Sequence, residues 1–328
     1  MPSLPRIRRP RTRDTVVAVS APPAPPAELS AAGLTWVHLD APDTFHAGFL
    51  AGRFGWHPLD VEDVLSKRQR PKIDEYADDG YLFGVLHFPV YDRAIQRLNA
   101  AELDFFIGPD YLVTLPAVEL LPVTRLFRRC EEDEAFREQL FSKGSGRLLY
   151  EVLDDLFDYC FPILDKIGHK LDSLEDDVFE GRSEEVVRDI SNVKQEIISY
   201  RKIIKPERST LRLLERTRYL PDDLEVYFDD IVDKAERIWD QLDNYKEVVE
   251  ALEATNESVI AHKQNDILRL LTIFSVILLP LTLISGIFGM NFRHIPFTSN
   301  YHGFIATVAI MFAIAVVMLV FFRIKRWI

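Results

Sequence analysis

The 328-residue sequence predicts a mixed α/β domain followed by long helices and two C-terminal transmembrane helices. Three observations carry that expectation. Between residues 33 and 116, short aromatic and branched runs alternate with turn residues, as strands do. From Leu149 onward, apolar residues recur at spacings of three and four, the signature of long helices with one apolar seam. Near the C-terminus, Ile267–Phe288 and Phe304–Phe322 are apolar runs of 22 and 19 residues, each long enough to cross a hydrocarbon core.

Residues 1–32 form a basic, Pro-rich tail that is expected to be disordered. Its first 14 residues carry five Arg and one Asp. Pro2, Pro5, Pro10 and the run Pro22-Pro23-Ala24-Pro25-Pro26 exclude the amphipathic helix of a transit peptide and suggest a polyproline-type spacer. Residues 33–144 make the α/β domain. Leu34–Leu39 reads as a strand, Phe45–Phe54 and Pro58–Leu65 as short helices, and Tyr81–Tyr91 as a strand. Leu103–Ile107 and Tyr111–Leu115 form a hairpin around Gly108-Pro109-Asp110.

Residues 145–265 form a long-helix region. Leu149, Leu153, Leu156, Cys160, Ile163, Ile167, Leu171, Leu174 and Val178 give one seam, with a kink expected at Pro162. Gly181 ends that helix and Ser183 caps the next, which runs towards Tyr219 and is expected to be disturbed near Pro206. A third helix starts after Pro221. No breaker interrupts it between Asp222 and Leu279, so it should continue into the first span, residues 266–290. An external loop (291–303), a second span (304–322) and a basic tail (323–328) follow. Lys263 and Arg269 flank the first span, and Arg323, Lys325 and Arg326 follow the second. The positive-inside rule therefore places both termini in the cytoplasm of a multi-pass protein of the cell (inner or plasma) membrane.

Net charge is −12. The first 14 residues and residues 266–328 each contribute about +4, which leaves about −20 for residues 15–265. A domain this acidic repels nucleic acid and attracts cations. Cys130 and Cys160 offer neither a disulfide framework nor a thiolate zinc site, and read as small buried residues. There is no P-loop, HExxH or nucleophile elbow, so no enzyme is expected and no ATP-driven engine is visible.

Polar and small residues in the first span are not scattered. Asn265, Leu268, Thr272, Ser275, Leu279, Thr282, Gly286 and Gly289 lie at spacings of three and four along one helical face. Ala261, Ser258, Ala254 and Ala251 extend it backwards. Small residues also serve close helix packing. A face that collects hydroxyls and an amide is better suited to water, because such groups seek water or one another inside a membrane. Two spans cannot enclose a pore, so a cyclic ring of subunits is required. Leu268 and Leu279 would form apolar rings suited to gating by dewetting.

The first span ends in Phe288-Gly289-Met290-Asn291. A long helix that reaches Gly-Met-Asn, turns through a short loop and returns to a basic tail resembles the CorA family of magnesium transporters, a superfamily that includes ZntB-like zinc transporters. Pro280-Leu281-Thr282 and Lys325-Arg326-Trp327-Ile328 add to the likeness. So do His57-Pro58-Leu59, Glu62-Asp63 and Gln69-Arg70-Pro71-Lys72, and the resemblance covers nearly everything after residue 33. It implies a funnel-shaped homopentamer in a lipid bilayer, and Gly289, Met290 and Asn291 as the selectivity ring. Neutral acceptors there would hydrogen-bond the water shell that Mg²⁺ sheds reluctantly. It also implies a regulatory Mg²⁺ site between neighbouring cytoplasmic domains, with Asp63 and Asp230 as partners and Glu62 beside them. Co²⁺, Ni²⁺ or Zn²⁺ could take the place of Mg²⁺. One departure stands out. Many relatives carry an acid in a Met-Pro-Glu-Leu stretch of the outer loop, whereas Asn291–Gly303 has none and holds Arg293, His294 and His302 instead. Histidine suits softer metals, which keeps a ZntB-like Zn²⁺ transporter as one alternative. A non-conducting membrane-anchored helical scaffold is the other.

Overall fold

The computed structural model describes residues 25–66, 69–92, 97–180, 183–217, 220, 222–290 and 301–327. They divide into two compact units: up to Asp165 together with Ile198–Leu242, and Lys166–Ile197 together with Asp243–Ile328.

The first unit is built on a six-stranded sheet: β1 (Ala27–Ala31), β2 (Leu34–His38), β3 (Lys72–Tyr76), β4 (Tyr81–Asp92), β5 (Arg97–Ile107) and β6 (Tyr111–Pro116), in the order β1-β2-β6-β5-β4-β3. Among the described residues, only β2 and β6 pair in parallel. β1 falls inside the segment expected to be a disordered tail, so the sheet begins six residues before the boundary at 33. Ala32 (φ 50°) and Gly33 (φ 82°) supply the two left-handed residues of a tight hairpin to β2. Arg53 clamps β1 from above with two bonds to Glu28, of 2.6 and 2.8 Å. β3 was not legible in the sequence either. As Lys-Ile-Asp-Glu-Tyr on a sheet edge, it has little apolar alternation to read.

Helices α1 (Thr44–Phe54) and α2 (Pro58–Leu65) cover one sheet face. Asp43 caps α1 by accepting from His46 N at 2.9 Å, and left-handed Gly55 ends it. Pro58 opens α2 at a position where its missing N–H costs nothing. Leu50, Trp56 and Val64 pack on Val37, Phe83, Val85, Phe106 and Val113, with Trp56 stacked on Phe106 at 3.6 Å. Alternation sends Trp36 and Phe88 to the opposite face. There they meet Phe127 of α3 (Leu121–Glu132) and Phe157 of α5 (Ser145–Phe179). The short α4 (Glu134–Phe141) lies between α3 and α5 in sequence.

Gly84 in β4 is a packing glycine. A Cβ there would sit 2.2 Å from Phe105 Cζ and 2.9 Å from Ile73 Cδ1. Gly84→Ala is therefore expected to destabilise the protein by about 1–3 kcal/mol through overpacking. Gly52→Ala, with open space around its helical position, should be neutral or mildly stabilising. Thermal unfolding of the two full-length variants checks the contrast, and equal midpoints would remove Gly84 from the core's constraints.

The long helices persist through their prolines. α5 is continuous past Pro162, and α6 (Ser183–Glu215) past Pro206. The disturbance expected at Pro206 does not break α6, because buried Ile203, Ile204, Glu207 and Leu211 anchor both flanks. Ser209 and Thr210 hydroxyls donate to the Pro206 carbonyl at 2.8 and 3.2 Å. After a short 3-10 turn, α7 runs unbroken for 64 residues, Glu225–Phe288, with Pro280 inside it. The second unit comprises the remaining parts of α5 and α6, α7 from Asp243, and α8 (Tyr301–Ile324). In it, Gly168 of α5 leaves room for the Tyr245 hydroxyl of α7, 2.5 Å from where a Cβ would stand. Lys194 reaches Glu253 at 2.5 Å.

Candidate ion pathway and cation sites

Exposure along the membrane part of α7 has a helical period. Ile273 is buried, and Ile277, Pro280, Leu281, Ile284 and Phe288 are half-buried. At about 100° per residue, these positions gather on one face. Leu268, Thr272, Ser275, Leu279, Thr282, Gly286 and Gly289 gather roughly opposite and are all exposed, Leu279 at 70%. Asn265, Ala261, Ser258, Ala254 and Ala251 continue the exposed stripe. α8 has a single shielded stripe of its own, which runs from Gly303 through Thr307, Met311, Ile314 and Met318 to Phe322. The face singled out by the sequence is thus left bare by its own chain.

The three hydroxyls of the stripe depart from what the sequence leads one to expect. They do not depend on water or on one another. Thr272 Oγ1 donates to Leu268 O at 2.7 Å, Ser275 Oγ to Leu271 O at 2.9 Å and Thr282 Oγ1 to Leu278 O at 2.7 Å. Each proton is spent on the preceding turn, a bond always available inside a helix. What remains to face outward is oxygen lone pairs. The stripe therefore offers acceptors, the polarity that suits a hydrated cation.

At the end of α7, Gly289 N bonds to Ser285 O at 2.9 Å and Met290 N to Ile287 O at 3.2 Å. Gly289 is not among the left-handed glycines, so no positive φ demands a glycine there. A Cβ would stand 3.2 Å from Ser285 O, a tight approach, and 3.6 Å from Gly286 O. Met290 is exposed. Asn291, Arg293 and His294 lie outside the described residues.

Asp63 sits on α2 with both oxygens engaged. Lys72 Nζ is 2.7 Å from Oδ2, and Gln69 Nε2 donates to Oδ1 at 2.8 Å. Lys72 also reaches Asp74 at 2.5 Å. Burial would lower the Lys72 ammonium, but these two carboxylates hold it above its ordinary value. Asp230, on the first turns of α7, is half-exposed and 4.0 Å from Lys234. Lys234 is itself held by Asp154 and Asp158, each at 2.6 Å. Glu62 is exposed. Among the described residues, no three His, Cys, Asp or Glu side chains converge to hold a metal, so the structure does not bring Asp63, Glu62 and Asp230 into one site within a chain.

Gln69 and Lys72, which the sequence offers only as part of a motif, become the partners of Asp63 because the fold brings the segment leading into β3 beside α2. The same holds for the buried acids. Asp60 accepts from the Tyr76 and Tyr81 hydroxyls at 2.8 and 2.7 Å. Glu207 is fully buried and accepts from His87 N at 2.7 Å. Burial pushes the carboxyls of Asp104 and Glu207 well above the usual range.

The sequence profile described as "CorA-like Mg2+ transporter protein" matches residues 31–326. The chain is 31% identical over 277 residues to a cobalt/magnesium transport protein CorA of Thermotoga maritima, covering 84% of this chain and 77% of that one. It is 24% identical over 301 residues to a zinc transport protein ZntB of Yersinia enterocolitica, covering 89% and 87%. In fold it superposes on the complete CorA magnesium transporter structure from Methanocaldococcus jannaschii with a TM-score of 0.78 and 24% identity, covering 90% and 92% of the two chains.

Proposed function

The chain belongs to the family of CorA-like Mg²⁺ transporter proteins, and from that premise we propose that it is a channel-type divalent-cation transporter that carries Mg²⁺ across the cell membrane. The observation that carries this reading is the bare acceptor stripe on α7, turned away from the shielded face of its own span. A face of exposed Thr, Ser and Gly is wasted on lipid and useful around an aqueous axis. Five copies around that axis, the assembly implied by the family resemblance, would close the pathway. Both termini then lie in the cytoplasm, and residues 291–303 lie outside. Cobalt and magnesium relatives are nearer in sequence than the zinc one, which favours Mg²⁺, with Co²⁺ or Ni²⁺ as companions, over Zn²⁺. Proteoliposome flux with each metal, with and without a pH gradient, tests the reading. Mg²⁺ uptake independent of the gradient is expected. Flux of Zn²⁺ alone would shift the assignment to the ZntB-like alternative, and no flux of any ion would revive the scaffold.

Gly289, Met290 and Asn291 form the selectivity ring in this proposal. The absence of a left-handed φ at Gly289 supports a role beyond capping, with its backbone carbonyl as a contact for a passing hydrated ion. The acid-free loop implies that capture relies on these neutral acceptors.

Regulation is proposed to run through Asp63 and Asp230, with Glu62 nearby, across a subunit boundary. Cytoplasmic Mg²⁺ would bridge the acids and hold the ring closed, and its loss would shift the population towards open states. Each Asp has a lysine within its own chain, so part of the repulsion is already offset. Asp63→Ala with Asp230→Ala is accordingly expected to weaken inhibition by cytoplasmic Mg²⁺ severalfold rather than abolish it, and to reduce Mg²⁺-dependent protection from protease. An unchanged Mg²⁺ dose–response would move the sensor to other acids.

A further inference from the structure

The residues just after the second span are built, not frayed. Trp327 N bonds to Phe322 O at 3.0 Å, and Arg326 N to Arg323 O at 3.1 Å. These bonds are closed by Arg326 in the left-handed conformation, φ 56°, a place where helices ordinarily use Gly. The turn brings the Trp327 ring back onto Phe322, with centroids 5.6 Å apart and 28° between planes. From α7, the Arg269 guanidinium covers the same ring at 5.8 Å. Arg269 is also 3.8 Å from Asp266. Arg323, Lys325 and Arg326, by contrast, are exposed and have no ion pair among the described residues. Three uncompensated cations within four residues are thus displayed on a turn whose shape is fixed by a disfavoured backbone and a clamped indole.

We propose that this turn, Arg323–Trp327, is a binding site for the phosphate of an anionic phospholipid in the cytoplasmic leaflet. Exposed Phe321 and Ile324 lie at its start, so an anion held there has apolar surface beside it for an acyl chain. Trp327 has the amphipathic ring that settles at headgroup level. Juxtamembrane basic clusters are attracted to anionic leaflets by a favourable contribution from each cation. A bound lipid would steady the turn and, through Trp327, the Arg269 contact to α7. The leaflet assignment rests on the topology proposed above.

Native mass spectrometry of the full-length oligomer, titrated with phosphatidylglycerol or phosphatidylcholine, tests the site. Wild type is expected to prefer phosphatidylglycerol. Arg323→Gln/Lys325→Gln/Arg326→Gln should lose about tenfold or more of that preference, while Arg323→Lys/Lys325→Arg/Arg326→Lys keeps it. Neutralising Arg188, Lys202 and Lys205 in parallel should leave it intact. Retained preference in the Gln triple, or equal loss in the distant triple, overturns the site. Complete displacement of phosphatidylglycerol from wild type by excess inorganic phosphate overturns the lipid assignment. Mg²⁺ flux of the same variants in phosphatidylcholine vesicles reports on transport separately, so failure of this inference is distinguishable from failure of the transport reading.

Discussion

Asn291→Ala is expected to lower Mg²⁺ flux roughly a hundredfold while leaving the assembled oligomer intact. The side-chain amide is a neutral acceptor at the end of α7, where a hydrated ion would first be held. A hydrogen bond to a charged partner is worth about 1.5–3 kcal/mol. Loss of two such bonds to the ion's water shell therefore costs about 3 kcal/mol, a factor above 100. In sequence Asn291 lies three residues beyond the end of α7 at Phe288, so assembly is expected to survive its truncation. The measurement is Mg²⁺ entry into proteoliposomes, with size-exclusion chromatography as the check on assembly. Wild-type flux from the variant would reduce the Gly-Met-Asn segment to a helix terminus.

A charge at Leu279 should have the opposite sign of effect. Leu279 is 70% exposed on the stripe opposite the shielded face. In the proposed ring it forms an apolar constriction that excludes water when closed. Leu279→Asp should hold that constriction wet and give a steady leak insensitive to cytoplasmic Mg²⁺. If the position instead faced lipid, the carboxylate would cost about 3 kcal/mol at mid-bilayer, and the protein would be lost from the membrane instead of leaking. Single cysteines in a background lacking Cys130 and Cys160 separate these cases further. Positions 268, 272, 275, 279, 282, 286 and 289 should react with a membrane-impermeant thiol reagent, with 268 and 279 reacting only at low Mg²⁺. Positions 273, 277 and 284, on the shielded face, should not. Reactivity without a 3.5-residue period would sink the pathway. The low exposure and raised thiol values of Cys130, pushed up to about 11, and Cys160, to about 12, make both native cysteines inert backgrounds in any case.

The sequence on its own determined the features that repeat along the chain. Periodicity survives without knowledge of distant partners, so the seam from Leu149, the unbroken helix through the first span and the two apolar runs were legible, as was the stripe from Asn265 to Gly289. β4 was legible as a run of aromatic and branched residues, and β6 by alternation beside the Gly108-Pro109-Asp110 turn. Tertiary structure alone decided what depends on pairing. β1 and β3 are edge strands with weak patterns of their own, and they are strands because β2 and β4 offer hydrogen-bonding partners. The hydroxyls of Thr272, Ser275 and Thr282 looked like seekers of water until the helix supplied carbonyls one turn back. Asp63 reads as a free acid in sequence, and folding gives it Lys72 and Gln69. Glu207 reads as one charge among many, and burial turns it into a carboxyl that favours its proton. The division has one physical cause. Local hydrophobic spacing is written in neighbouring residues, whereas the charge state and hydrogen bonding of a side chain are set by groups that only the fold brings within hydrogen-bonding reach.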